Sequence, residues 1–73
     1  MTGKEAQTKV VLNHLKKHGS LTAMEAFKQY GIMRLAARIA DLRESGVSIW
    51  SERVSVLDEE NREVGHYARY HMA

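Results

Sequence analysis

With 73 residues and no cysteine, the chain has room for one modest core and neither disulfides nor thiolate-bound metal to staple it. The net charge of +2 hides an asymmetry: residues 1–46 hold eight Lys and Arg against four Asp and Glu, a balance of +4, whereas residues 47–73 hold three against five, a balance of −2. No apolar run approaches a membrane span, and Met1-Thr2-Gly3-Lys4 lacks a signal-peptide stretch, so a soluble cytoplasmic protein with no membrane partner is expected, carrying an anionic partner on its basic first half.

The segment from Glu5 to His18 places Ala6, Val11, Leu12 and Leu15 near helical spacing and leaves Lys9, Lys16 and Lys17 to solvent. Lys16-Lys17-His18-Gly19 puts positive charge in a last turn, followed by the glycine a left-handed helix end requires. A first helix over about 5–18 follows. Ser20 and Leu21 read as a short, extended connector. Thr22-Ala23-Met24-Glu25 has the spacing of a capping box, and Gly31 stops the second helix after about two turns, at 23–30, with Ala23, Ala26, Phe27 and Tyr30 as its apolar stripe.

The third helix is predicted over about 32–45. Ile32, Leu35, Ala36, Ile39 and Leu42 recur at helical spacing, and Gly46 ends the run. The opposite face carries Met33, Arg34, Ala37, Asp41 and Glu44, with Arg38 on its flank. After Gly46 the period falls to two, predicting a β-hairpin over about 47–72 with a charged tip at Asp58 to Glu63. Its apolar phase slips between Ile49 and Val54, which predicts a bulge near Ser51 and Glu52. From Val64 onward, His66, Ala68, Tyr70 and Met72 share one side and Tyr67, Arg69 and His71 the other.

Three helices followed by a hairpin, with a tight glycine junction between the second and third, predict a single domain over 1–73. It is mainly α with a small β-hairpin (α+β), in the order of a three-helix winged helix-turn-helix. In that arrangement the third helix is offered to the major groove of double-stranded DNA. Arg34, expected in its first turn, can bond guanine bidentately; Arg38 can reach a base or phosphate; and Ala37 between them allows close approach. Met33 and Asp41 complete this face. The start of the second helix at Thr22 suits a phosphate, and Lys28, Gln29 and the lysines of the first helix add nonspecific attraction. The competing reading for Arg34 and Arg38 is a solvated helix face, with Arg38 paired to Asp41 or Glu44. Arg43, near the core side at the helix end, suits packing and the helix dipole instead.

The hairpin tip repels phosphate, with Asp58, Glu59, Glu60 and Glu63 against Arg62, so an exposed, solubilising wing is expected; Arg53 and Arg69 on its body remain candidates for backbone contact. Trp50, Tyr67 and Tyr70 are expected to cover the helices rather than to stack on bases. His14 and His18 have metal-ligand spacing but no third ligand, so they are read as structural, and no metal or cofactor is expected. With no nucleophile–base pair, paired catalytic carboxylates or phosphate-binding glycine loop, the chain reads as a non-enzyme.

The run Arg34-Leu35-Ala36-Ala37-Arg38-Ile39 leading through Leu42-Arg43-Glu44-Ser45-Gly46 to Ile49, with Leu21 to Ala26 before it and Tyr67-Ala68-Arg69-Tyr70 after it, resembles short helix-turn-helix domains of bacteriophages and prophages. The resemblance spans about residues 8–72. It implies a phage-type regulator of transcription, recombination or replication, working in a bacterial or phage-infected cytoplasm. A reading head this small contacts few base pairs, so a homodimer or other partner is expected to supply the rest of the affinity. The alternative is an adaptor or inhibitor that binds a host protein through its acidic wing or a helical face.

Overall fold

The computed structural model describes residues 3–73; Met1 and Thr2 of the expected domain lie outside the described residues. The elements run α1 (Gly3–His18), β1 (Ser20–Thr22), α2 (Ala23–Tyr30), α3 (Leu35–Glu44), β2 (Ile49–Leu57) and β3 (Glu63–Met72). The three strands form one antiparallel sheet in the order β1-β3-β2. The expected hairpin is therefore two-thirds of the sheet. The connector at Ser20 and Leu21 is its third strand, pairing Leu21 with Tyr70 and Thr22 with Arg69. Three residues carry too little alternation to reveal a strand in sequence; it forms because β3 offers a ready ladder.

The core gathers one or more residues from every element except β3. Val11 and Leu15 of α1, Leu21 of β1, Ala26 of α2, Leu35, Ile39 and Leu42 of α3, and Ile49 of β2 are buried, as is Ile32 in the turn. Tyr70 and Met72 of β3 pack against this cluster. Beyond it the hairpin has no helix beneath it. The chain measures 47 × 24 × 20 Å, with a radius of gyration of 13.3 Å against the roughly 11 Å of a compact domain this long.

Several expectations fail in instructive ways. The third helix starts at Leu35, not Ile32. Ile32 fits the helical phase but serves as a buried anchor of the turn, its N–H reaching Ala26 O at 3.3 Å, while Arg34 at φ −121°, ψ 59° is not helical. Ala6 and Ala36 are exposed rather than part of their stripes, and so are Phe27 and Tyr30 of α2, where Ala26 is the buried residue. The two-turn helix is too short to bury a full stripe and seats one small side chain closely.

The bulge lies between Val56 and Leu57, opposite Val64, and the register through Ser51 and Glu52 is regular. The apolar phase inverts for another reason. Ile49 faces the helices and Ser51 meets Arg43 at the end of α3, but Arg53 and Ser55 on the same side have no helix against them, so apolar residues gain nothing there, and Val54 and Val56 occupy the other face. Trp50 and Tyr67 lie on that outer face and stay out of the core: Trp50 stacks on His71 at 4.1 Å, leaving Tyr70 alone of the three packed against the buried cluster.

Candidate nucleic-acid interface

The geometry of the interface starts with how α2 is held. Thr22 caps it: the hydroxyl accepts from the Glu25 N–H at 3.2 Å, and Glu25 Oε1 accepts from the Thr22 N–H at 2.9 Å. Both orphan donors of the capping box are thereby satisfied. Arg69 Nη1, from β3, closes on the same carboxylate oxygen and on Ser20 Oγ, both at 3.3 Å. The Glu25 carboxyl is raised by burial, but the Thr22 bonds and the Arg69 charge outweigh this and hold it below its ordinary value. The start of α2 thus carries an ionised carboxylate of its own. Thr22, buried, spends its hydroxyl and amide on the cap; the amides of Ala23 and Met24 remain at the helix start.

Gly31 then takes the left-handed conformation at φ 68°, and its N–H closes the last turn of α2 on Phe27 O at 2.9 Å. Residues 31–34 swing the chain into α3, whose first bonds run from the Ala37 and Arg38 amides to Arg34 O. Arg34 therefore occupies the N-cap position, without a side-chain cap, rather than the first turn. Its guanidinium is exposed and makes no hydrogen bond or ion pair among the described residues. Met33 beside it is 80% exposed. At about 100° per residue, the side of α3 opposite its buried Leu35, Ile39 and Leu42 carries Ala37, Ala40 and Glu44, with Ala36 at the sheet-side edge.

Arg38 is placed differently. Its Nε lies 3.2 Å from Asp41 Oδ2, and Lys4 of α1 reaches Oδ1 of the same carboxylate at 3.6 Å. With 13% of its side chain accessible, Arg38 is committed to the α1–α3 seam. Asp41 belongs to that seam too. Arg43 fastens the other flank, donating to Ile49 O and Ser51 Oγ at 3.1 Å, with its guanidinium 6.0 Å from the Tyr70 ring centroid.

The hairpin cations are likewise engaged. Arg53 makes a two-pronged pair with Glu63 at 2.6 and 2.7 Å, and Arg62 pairs with Asp58 and Glu60. Among the described residues, the cations without an acidic partner are Lys9, Lys16, Lys17, Lys28, Arg34 and Arg43. Apart from Arg43, they lie on α1, on α2 and in the turn.

The residues singled out by sequence thus separate. Met33, Arg34 and Ala37 come together at the start of α3, with Thr22 and Arg69 across a shared groove. Lys28 stands exposed on α2. Arg38 and Asp41 turn to α1, and Arg53 points to Glu63 on the wing. Sequence reasoning missed Met24 and Ala36 and set Tyr67 aside as helix cover, and all three line the groove. Met24 lies off every apolar period, and Ala36 fits the core stripe too well to be suspected of exposure.

Among the described residues, no group of three metal-ligating side chains occurs and no helix is long and apolar enough to cross a membrane. No curated protein and no solved structure matches the chain significantly. A family model does, over residues 6–73: the chain belongs to the winged helix-turn-helix domains, a family that points to DNA as partner and to a non-enzymatic role.

Proposed function

We propose that the protein is a double-stranded DNA-binding regulator of the bacteriophage or prophage type, which reads the major groove with the N-terminal end of α3. The observation that carries this reading is Arg34, an exposed and unpaired guanidinium at the helix start, flanked by Met33 and Ala37. An N-terminal arginine can fork onto guanine O6 and N7, and small residues behind it let the helix approach the base edges. Lys28 and the exposed lysines of α1 supply phosphate contacts that position the helix without reading sequence.

Arg38 and Asp41 act one step back, fixing the angle of α3 against α1, and Arg69 fixes α2 against the sheet. The wing stays off the phosphates because its arginines are neutralised by its own carboxylates. One copy covers few base pairs, so a second copy on an adjacent half-site completes the affinity. The resemblance of residues 34–46 to phage and prophage domains supports the regulatory role.

The test is a fluorescence anisotropy titration of duplex DNA with wild type and Arg34→Ala across salt concentrations. Groove binding gives a steep loss of affinity with salt and a further loss in the variant. A wild type that shifts no duplex at low salt overturns the reading in favour of a protein-binding adaptor. That second reading draws on the wing, where Leu57 and Val64 are more than half exposed beside an acidic tip.

A further inference from the structure

We propose that the groove between the starts of α2 and α3 and strand β3 is a binding site for a small aromatic carboxylate. The aromatic ring sits among Met24, Met33 and Tyr67, and the carboxylate pairs with Arg34. The groove is an open concavity of about 790 Å³, with Leu35 and Ala68 also among the residues that line it. That volume falls in the range of sites for compact organic ligands, which are mostly apolar with a few placed polar groups.

The walls specify the apolar half of the ligand. Met24 and Met33 are 63% and 80% exposed, and the Tyr67 ring is 43% exposed, so three large apolar side chains around one concavity have no partner. Thioethers and an aromatic ring at such a mouth favour another aromatic ring, since sulfur and ring edges attract and the flexible methionines adapt to its outline.

Charge specifies the other half. Two of the three charged residues lining the groove cancel each other, Arg69 against Glu25 at 3.3 Å. The third, Arg34, has no acidic partner among the described residues, so the groove holds one net positive charge, at its α3 end. A monoanion with an apolar body complements it, and a guanidinium takes a carboxylate in a two-pronged fork.

β1 pairs with β3 only from Arg69 to His71, so the edge of β3 from Glu63 to Ala68 is open on that side. Yet the groove's recognition features are one net positive charge and three apolar side chains around a single concavity, which suit a compact ligand rather than a strand. A free small molecule is the occupant that fits. Because it would engage the guanidinium assigned above to DNA, it would act as an effector that releases DNA. That consequence rests on the proposed function; the binding itself does not, and it is tested without DNA.

The probe is 1-naphthoate, with 1-naphthalenemethanol as its neutral counterpart, each titrated into protein carrying 13C-labelled methionine methyls and 15N-labelled amides. The expected result is saturable shifts at the Met24 and Met33 methyls and the Ala68 amide, with the carboxylate binding about tenfold more tightly than the alcohol. Arg34→Ala, at an exposed site without partners, keeps the fold, removes that tenfold preference and leaves the alcohol's affinity unchanged. Met33→Ala weakens both ligands. Shifts that fail to saturate at millimolar ligand, shifts scattered over the surface, or a carboxylate preference that survives Arg34→Ala would each overturn the site. If naphthoate binds but does not compete with a bound duplex, the site stands and the effector role is overturned.

Discussion

Arg38 Nε sits 3.2 Å from Asp41 Oδ2, one turn along α3 and facing α1, while Arg34, one turn earlier, faces solvent with no partner. Two arginines four residues apart on the same helix motif therefore have separate tasks. Arg34→Ala should lower duplex affinity by about 1–3 kcal/mol and leave the unfolding midpoint unchanged. Arg38→Ala should do the reverse, destabilising the fold by about 1 kcal/mol with little change in affinity at matched salt. Asp41→Asn should tighten nonspecific binding, because it removes the anion that neutralises Arg38 and Lys4. Parallel anisotropy titrations and urea melts check all three; an Arg38→Ala variant that folds normally but no longer binds DNA would reverse the assignment.

The fold was most legible where one local interaction dictates geometry. Thr22 and Glu25 at capping-box spacing and Gly31 at a helix end are such cases, and both bounds of α2 follow from them. It was least legible where periodicity and packing coincide for different reasons. Ile32 lies three residues before Leu35 and so mimics a helical position, yet a turn needs a buried anchor as much as a helix does. That one ambiguity moved Arg34 from the first turn of the helix to its cap. The candidate interface was legible only in its members. Spacing offered Arg38 a partner in Asp41, three residues on, and the structure has that pair; what spacing does not show is that Lys4 and Asp41, 37 residues apart, meet beside it and draw it into the seam with α1.

Thr22→Ala removes the hydroxyl that caps α2 and should destabilise the domain by about 1 kcal/mol, with the urea m-value unchanged and Thr22→Ser close to wild type. The carboxylate half of the capping box should depend on pH. The Glu25 carboxyl lies below its ordinary value in the folded chain, so its contribution is present above the unfolded pKa and is lost as pH falls through the folded one. Urea melts of wild type should therefore lose stability on acidification that Glu25→Gln does not lose; equal losses in the two would show that the cap does not act through this carboxylate.

On the wing, hydrogen bonds from Arg53 and then Ser55 hold the Glu63 carboxyl at about 2, against an ordinary 4.5. Carbon-detected NMR should show Glu63 titrating near that value, and Arg53→Ala should return it most of the way to 4.5. Because the folded value is the lower one, the pairing supports the wing above pH 4.5 and fades as pH falls towards 2. Amide shifts of Val54 to Val64 should move with the same midpoint. If they stay fixed while the carboxyl titrates, the pair does not order the hairpin.

His14 is buried in α1, with its Nδ1 2.6 Å from the Tyr30 hydroxyl at the end of α2. Burial, followed by the nearby charge of His18, lowers the His14 pKa from 6.5. The neutral ring is thus the form that the fold accepts. Between the folded and unfolded values the unfolded chain binds more protons, so stability rises with pH and is lost as pH falls below 6.5. The thermal midpoint should accordingly fall from pH 7 to pH 5. Tyr30→Phe should cost about 1 kcal/mol at pH 7 by leaving the ring nitrogen unpaired. His14→Leu, which removes the titrating group, should flatten the pH dependence between 5 and 7 whatever its effect on absolute stability; a slope that persists in this variant would assign the transition to another histidine.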